Sequence, residues 1–174
     1  MKRILVGLVL TVTLFYLLYL SEPASAGKKR TFEEDIKQDW AQKVCSNPEA
    51  KVPEELLDRF LEEQRKLIKY PESGNIYGDW KRGEKLFSNP KKGNCYACHC
   101  GDPKELACGN IGPNLRGYGK KKKDPEYTYR KIYNSWAYVP CSVMYRAGVH
   151  GRLTPEEIAD IVAYLHSEES PINK

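Results

Sequence analysis

Apolar positions follow two regimes along the chain. From Ile4 to Leu20 they form a run broken only by Gly7, Thr11 and Thr13. Beyond residue 26 they recur at helical spacing in four separate stretches. The first, about Phe32 to Val44, is short and weakly amphipathic. The second runs from about Pro53 to Ile68, with Leu56, Leu57, Phe60, Leu61, Leu67 and Ile68 on one face. Pro71 and Glu72-Ser73-Gly74-Asn75 end it and read as a linker. The third follows Asp79, a good N-cap, and covers Trp80 to Phe87. The fourth opens on Thr154-Pro155-Glu156-Glu157, which joins an N-cap, a proline at N1 and a glutamate at N3. Ile158, Ile161, Val162 and Leu165 then form one helical stripe. No alternating run is long enough to predict a strand, so the expected class is all-α.

The N-terminal run is preceded by Lys2 and Arg3 and followed by Ala24-Ser25-Ala26, the pattern of an export signal cleaved after Ala26. The alternative is an uncleaved membrane anchor, since the run nearly reaches the length that crosses a bilayer. The signal carries Lys2, Arg3 and Glu22, a net +1, so the mature chain keeps +4 of the total +5. That mild, dispersed charge points to no nucleic-acid partner. All six cysteines follow the signal, which suits an exported, oxidising compartment. The expected organisation is a signal peptide at 1–26, an N-terminal helical extension at 27–75 and the main domain at 76–174, located in the periplasm.

Between the third and fourth helical stretches lie about seventy residues rich in Gly, Pro, Tyr and Lys, with little periodicity. Irregular chain of that length cannot build a core alone and usually wraps something. Cys95-Tyr96-Ala97-Cys98-His99 indicates what it wraps. Two cysteines three apart reach the two vinyl groups on one porphyrin edge, and the adjacent histidine falls beneath the iron. The motif predicts one covalently bound haem c with His99 as proximal ligand. A redox C-x-x-C would need a strand-to-helix context, and a zinc site a second ligand pair at matching spacing. Cys100 with Cys108 matches that spacing poorly.

The second axial ligand follows by elimination among Met, His, Tyr and Cys. Apart from Met1, the only methionine is Met144, 45 residues after His99 and just before the last helix. His150 lies between glycines in a loop, and His166, one step past the apolar stripe, is expected to face solvent. Met144 is therefore the expected ligand, its alternative being a gap-filling core residue. Ile111-Gly112-Pro113-Asn114-Leu115 offers carbonyls rather than amides, since Pro113 lacks an N–H. The Pro113 region is expected to accept a hydrogen bond from the second nitrogen of His99, unless it is an ordinary turn. Gly83 and Phe87, four apart, suit close helix contact, with the glycine gap admitting the Tyr164 and Leu165 region.

Cys45, Cys100, Cys108 and Cys141 allow three disulfide pairings. Cys100 with Cys108 is the local option, which would leave Cys45 with Cys141 to tie the N-terminal helices to the Met144 loop. A reactive or partner-linked thiol is the sharper alternative. Lys120 to Lys123 reads either as a steering patch for an acidic redox partner or as a solvated loop. The leucine face at 56–68 could bind a partner helix, but packing on its own domain is the default.

Together, Gly83-x-x-x-Phe87, C-x-x-C-H, Gly112-Pro113-x-Leu115, a lone late methionine and an amphipathic last helix resemble the class I cytochromes c. More narrowly, three segments resemble SoxX, the haem subunit of SoxAX complexes. They are Gly93 to His99, Gly109 to Leu115, and Val139 to Met144 leading into Gly148 to Thr154. The ending, Ala163-Tyr164-Leu165 then Ser170-Pro171-Ile172-Asn173, is similar too. The resemblance covers roughly residues 76 to 174. The chain departs from it at Tyr145 and Ala147, where the family usually has proline and phenylalanine, in the long helical segment 31–70, and in four cysteines outside the motif.

That resemblance implies an electron-accepting haem subunit of an L-cysteine S-thiosulfotransferase. Such a complex joins thiosulfate oxidatively to a cysteine of a SoxYZ-type carrier protein during sulfur oxidation. The catalytic cysteine is implied on a SoxA-type partner, and electrons leave to a downstream soluble cytochrome c. The alternatives are a free monohaem carrier or a cytochrome subunit of another periplasmic dehydrogenase.

Overall fold

The structure is a computed structural model describing residues 38–46 and 51–174. The export signal and most of the first helical stretch lie outside the described residues. Trp40–Lys174 forms one compact unit. Its helices are α1 (Trp40–Cys45), α2 (Glu54–Lys66), α3 (Trp80–Ser88), α4 (Pro125–Tyr133) and α5 (Pro155–His166). Short 3-10 turns occupy Cys95–Ala97, Tyr118–Lys121, Ser135–Ala137 and Pro171–Asn173. Among the described residues there is no strand, and the class is all-α.

The caps form where the sequence places them. Asp79 accepts from the Arg82 amide at 2.9 Å and starts α3. At α5 the Thr154 hydroxyl accepts from the Glu157 amide at 3.2 Å, while the Glu157 carboxylate accepts from the Thr154 amide at 3.0 Å. From Ile158 to Leu165 every residue of α5 is buried, more than its apolar stripe requires. Even Asp160 is enclosed, taking two bonds of 2.8 Å from the Arg82 guanidinium and one of 2.7 Å from the Asp79 amide. The C-terminal turn closes the far end of α5: Ser170 Oγ donates to the Tyr164 carbonyl at 2.6 Å and Asn173 Nδ2 to that of Leu165 at 3.0 Å.

Helices α3 and α5 cross at Gly83. A Cβ there would lie 2.0 Å from the Asp160 carbonyl oxygen and 2.9 Å from Tyr164 Cβ, so the glycine gap takes the Asp160 backbone as well as Tyr164. Neither neighbour is a flexible side-chain tip. Gly83→Ala must push the helices apart, and a loss of about 2–3 kcal/mol is expected from overpacking. Chemical denaturation measures it, and an unchanged midpoint would contradict a tight crossing.

Helix α4 lies inside the segment expected to be irregular. Asp124 caps it and Pro125 sits at N1, with Thr128, Tyr129 and Tyr133 buried. Aromatic and β-branched residues lower its intrinsic helicity, and burial overrides that weak propensity. Its Thr128 hydroxyl lies 2.8 Å from His166 Nε2, and the His166 ring packs edge-on to Tyr118 at 5.3 Å. His166 is therefore half-buried rather than turned to solvent, and that burial pulls its imidazole pKa below the usual value.

Candidate haem site

The C-x-x-C-H segment is held by its neighbours' backbone. Asn94, in the left-handed region at φ 50°, turns the chain into the Cys95–Ala97 turn. The His99 amide then donates to the Cys95 carbonyl at 2.9 Å. Residues 109–115 run alongside. The Gly109 amide donates to the Tyr96 carbonyl at 2.7 Å, that of Gly112 to Cys98 at 2.8 Å, and that of Leu115 to Cys100 at 2.8 Å. A disulfide between Cys100 and Cys108 staples the loop between the two strips of chain. A second joins Cys45 to Cys141, so Cys95 and Cys98 are the two cysteines left as thiols.

His99 is fixed in plane and in tautomer. A Cβ on Gly112 would lie 2.2 Å from His99 Cε1, so only glycine lets the backbone pass flat against the ring. His99 Nδ1 lies 2.8 Å from the Pro113 carbonyl oxygen. A carbonyl only accepts, so Nδ1 carries a proton, and in the neutral ring that leaves the Nε2 lone pair for a metal.

These groups open onto one cavity of about 480 Å³. Cys95, Cys98, His99 and Met144 all line it. Apolar side chains of α3 and α5, among them Phe87, Ile161 and Leu165, complete the lining with Leu153. Phe87 is wedged edge-on to Tyr96 at 4.9 Å and tilted on Tyr164 at 5.2 Å. Burial pushes the Cys95 thiol up to about 12. Such a group stays protonated at neutral pH, unlike the acidic thiol of a redox C-x-x-C.

Met144 is positioned by its backbone. Ser135 Oγ donates to its carbonyl at 2.6 Å, and its amide donates to Ser142 Oγ at 3.2 Å. Neither other histidine lines the cavity: His166 packs on Thr128 and Tyr118, while exposed His150 stacks on Tyr145 at 5.1 Å. The lining that the sequence reading missed comes from α4, which contributes Tyr127, Thr128, Lys131 and Ile132. The signal for it was the Asp124-Pro125 start followed by apolar or aromatic residues at 129, 132 and 133. Half-buried Lys131 has its ammonium pKa pulled down by desolvation.

The donor set fits a haem c. Two thiols, an imidazole hydrogen-bonded at Nδ1 and a methionine are among the lining of one mainly apolar cavity. Among the described residues there is no group of three or more His, Cys, Asp and Glu able to hold a metal ion, so a zinc site has no donor set there.

A protein 58% identical over 151 residues, covering 79% of this chain and 73% of its own length, is an uncharacterized lipoprotein of Aquifex aeolicus (strain VF5). In this chain the first cysteine is Cys45, which is bonded to Cys141. Among solved structures, the crystal structure of SoxXA from P. pantotrophus aligns with a TM-score of 0.49 at 21% identity, over 59% of this chain and 95% of that one. The family model for cytochrome c matches residues 80–169, from the start of α3 to just past α5. The chain belongs to the cytochrome c family.

Proposed function

We propose that this chain carries one haem c, joined to Cys95 and Cys98 and ligated by His99 Nε2 and the Met144 thioether. The observation that carries the reading is the cavity itself, where the two remaining thiols, the oriented imidazole and the methionine meet in an apolar lining. Cys95 and Cys98 would hold the haem through two thioethers, each the addition of one S–H across one vinyl group with no net redox change. The bound haem supplies one-electron redox chemistry. The chain's own part is to hold the ring, keep water from it and fix the basicity of His99 through Pro113. A methionine ligand raises the potential and favours electron acceptance.

The role that best fits is the electron-accepting subunit of a SoxAX-type complex in the periplasm, supported by the three sequence segments that resemble SoxX. Joining thiosulfate to a cysteine of a SoxYZ-type carrier releases two electrons, and the haem held by Cys95, Cys98, His99 and Met144 would supply the one-electron chemistry by which they leave to a downstream soluble cytochrome c. The reactive cysteine is assigned to a SoxA-type partner, because every cysteine here is either paired in a disulfide or is one of the two thiols, Cys95 and Cys98, that line the cavity. Purification from the native periplasm is expected to bring down a second cytochrome subunit and thiosulfate-dependent conjugation of the carrier. A chain that runs alone, without that activity, would instead be a free electron carrier.

A further inference from the structure

Helices α1 and α2 are bound to the loop that carries Met144. Cys45 at the end of α1 is disulfide-bonded to Cys141, three residues before the methionine. Phe60 of α2 is fully buried and packs 6.0 Å from Trp136, whose Nε1–H donates to the Ser142 carbonyl at 2.9 Å. On the other side of Met144, Arg146 is only 4% exposed, its guanidinium 3.7 Å from the centre of the Trp136 ring. A cation so enclosed needs acceptors.

One of them is Gln64 of α2, itself 3% exposed. Its Oε1 accepts from Arg146 Nη1 at 3.1 Å and from Asn134 Nδ2 at 3.1 Å, while its backbone carbonyl takes a second bond from Asn134 Nδ2 at 2.8 Å. Asn134 opens the turn before the methionine loop and Arg146 closes the loop. A single side-chain oxygen on α2 therefore joins both ends of the segment that presents Met144.

We propose that the α1–α2 segment is a strap that positions Met144 on the haem iron, with Gln64 and the Cys45–Cys141 disulfide as its two ties. The inference rests on the reading of Met144 as axial ligand. A thioether is a weak partner for ferric iron, so a nitrogen donor replaces it whenever the loop swings out. Loop opening breaks the Gln64 bonds to the buried donors of Asn134 and Arg146, which makes opening costly. Gln64 touches neither the haem nor the reacting atoms and acts through the loop.

The test is imidazole titration of the ferric holoprotein, following the far-red absorption of methionine-ligated haem. Gln64→Ala is expected to bind imidazole about tenfold more tightly, equivalent to about 1.4 kcal/mol. Gln64→Glu keeps an acceptor for Arg146 and Asn134 and is expected to titrate as the unaltered protein does. Glu62→Ala removes an exposed pair with Lys66 on the same helix and serves as the control for weakening α2 alone. A Gln64→Ala protein that titrates like the unaltered one, or a Glu62→Ala protein that matches Gln64→Ala, overturns the proposal. If Gln64→Ala does not accumulate, Cys45→Ser/Cys141→Ser severs the other tie with Gln64 in place. It must shift the titration the same way, and no shift also overturns the strap. An unaltered protein with no far-red band refutes the Met144 reading itself, which separates the two failures.

Discussion

Replacing Cys95 and Cys98 together with serine is expected to abolish covalent haem and, with it, most of the folded protein. Serine hydroxyls do not add to vinyl groups under conditions where thiols do, so no thioether forms. The effect on folding comes from the cavity. Its volume is about 480 Å³, and its lining includes core residues from both α3 and α5. At about 24 cal/mol per Å³, an uncollapsed space of that size costs on the order of 10 kcal/mol. That is comparable to the whole stability of a domain, about 5–15 kcal/mol. Collapse of the walls lowers the cost, but α5 is already fixed against α3 at Gly83 and has little room to move. Circular dichroism and the haem content of the recovered chain read the result. A well-folded double mutant with tightly held haem would mean that the cavity closes by other means.

Met144→Ala is expected to act on the haem and spare the fold. The bonds that seat this residue use its backbone: the Ser135 hydroxyl on its carbonyl, and its own amide on Ser142. They survive truncation, as does the Trp136 contact with the Ser142 carbonyl. What disappears is the thioether. The far-red band of the ferric protein should vanish, and exogenous ligands should bind without competition. The reduction potential should fall by on the order of 0.1 V, part of the range of about 0.8 V that axial ligands and their surroundings command. A spectrum and potential unchanged by the substitution would remove Met144 from the iron and leave the gap-filling alternative.

How far the sequence is legible differs between elements for physical reasons. Helices α3 and α5 were readable because their start signals are local: each cap is completed between residues three apart. The attachment motif is likewise contiguous, and the carbonyl beside His99 was predictable because proline can only accept. Helix α4 has a local start at Asp124-Pro125, but its Tyr, Thr and Ile residues lower intrinsic helicity, so the segment reads as irregular until burial holds it as a helix. That single omission also hid the true setting of His166, whose partner Thr128 lies on α4. The leucine-rich face of α2 reads as generic packing. Its use emerges only when Gln64 and Phe60, polar and aromatic positions 70 residues or more from their partners in sequence, are brought against Asn134, Trp136 and Arg146. Of three possible disulfide pairings, distance selects the pair, Cα atoms lying 5.1 Å apart for Cys45–Cys141 and 5.0 Å for Cys100–Cys108.

The central claim, that this chain covalently carries one haem at Cys95 and Cys98, is tested most directly on the purified holoprotein. Acid extraction in denaturant followed by intact mass measurement asks a single question. The account predicts a chain heavier by one haem, with the colour retained in the protein fraction. A colourless chain at its apoprotein mass, with the haem in the organic phase, would contradict it.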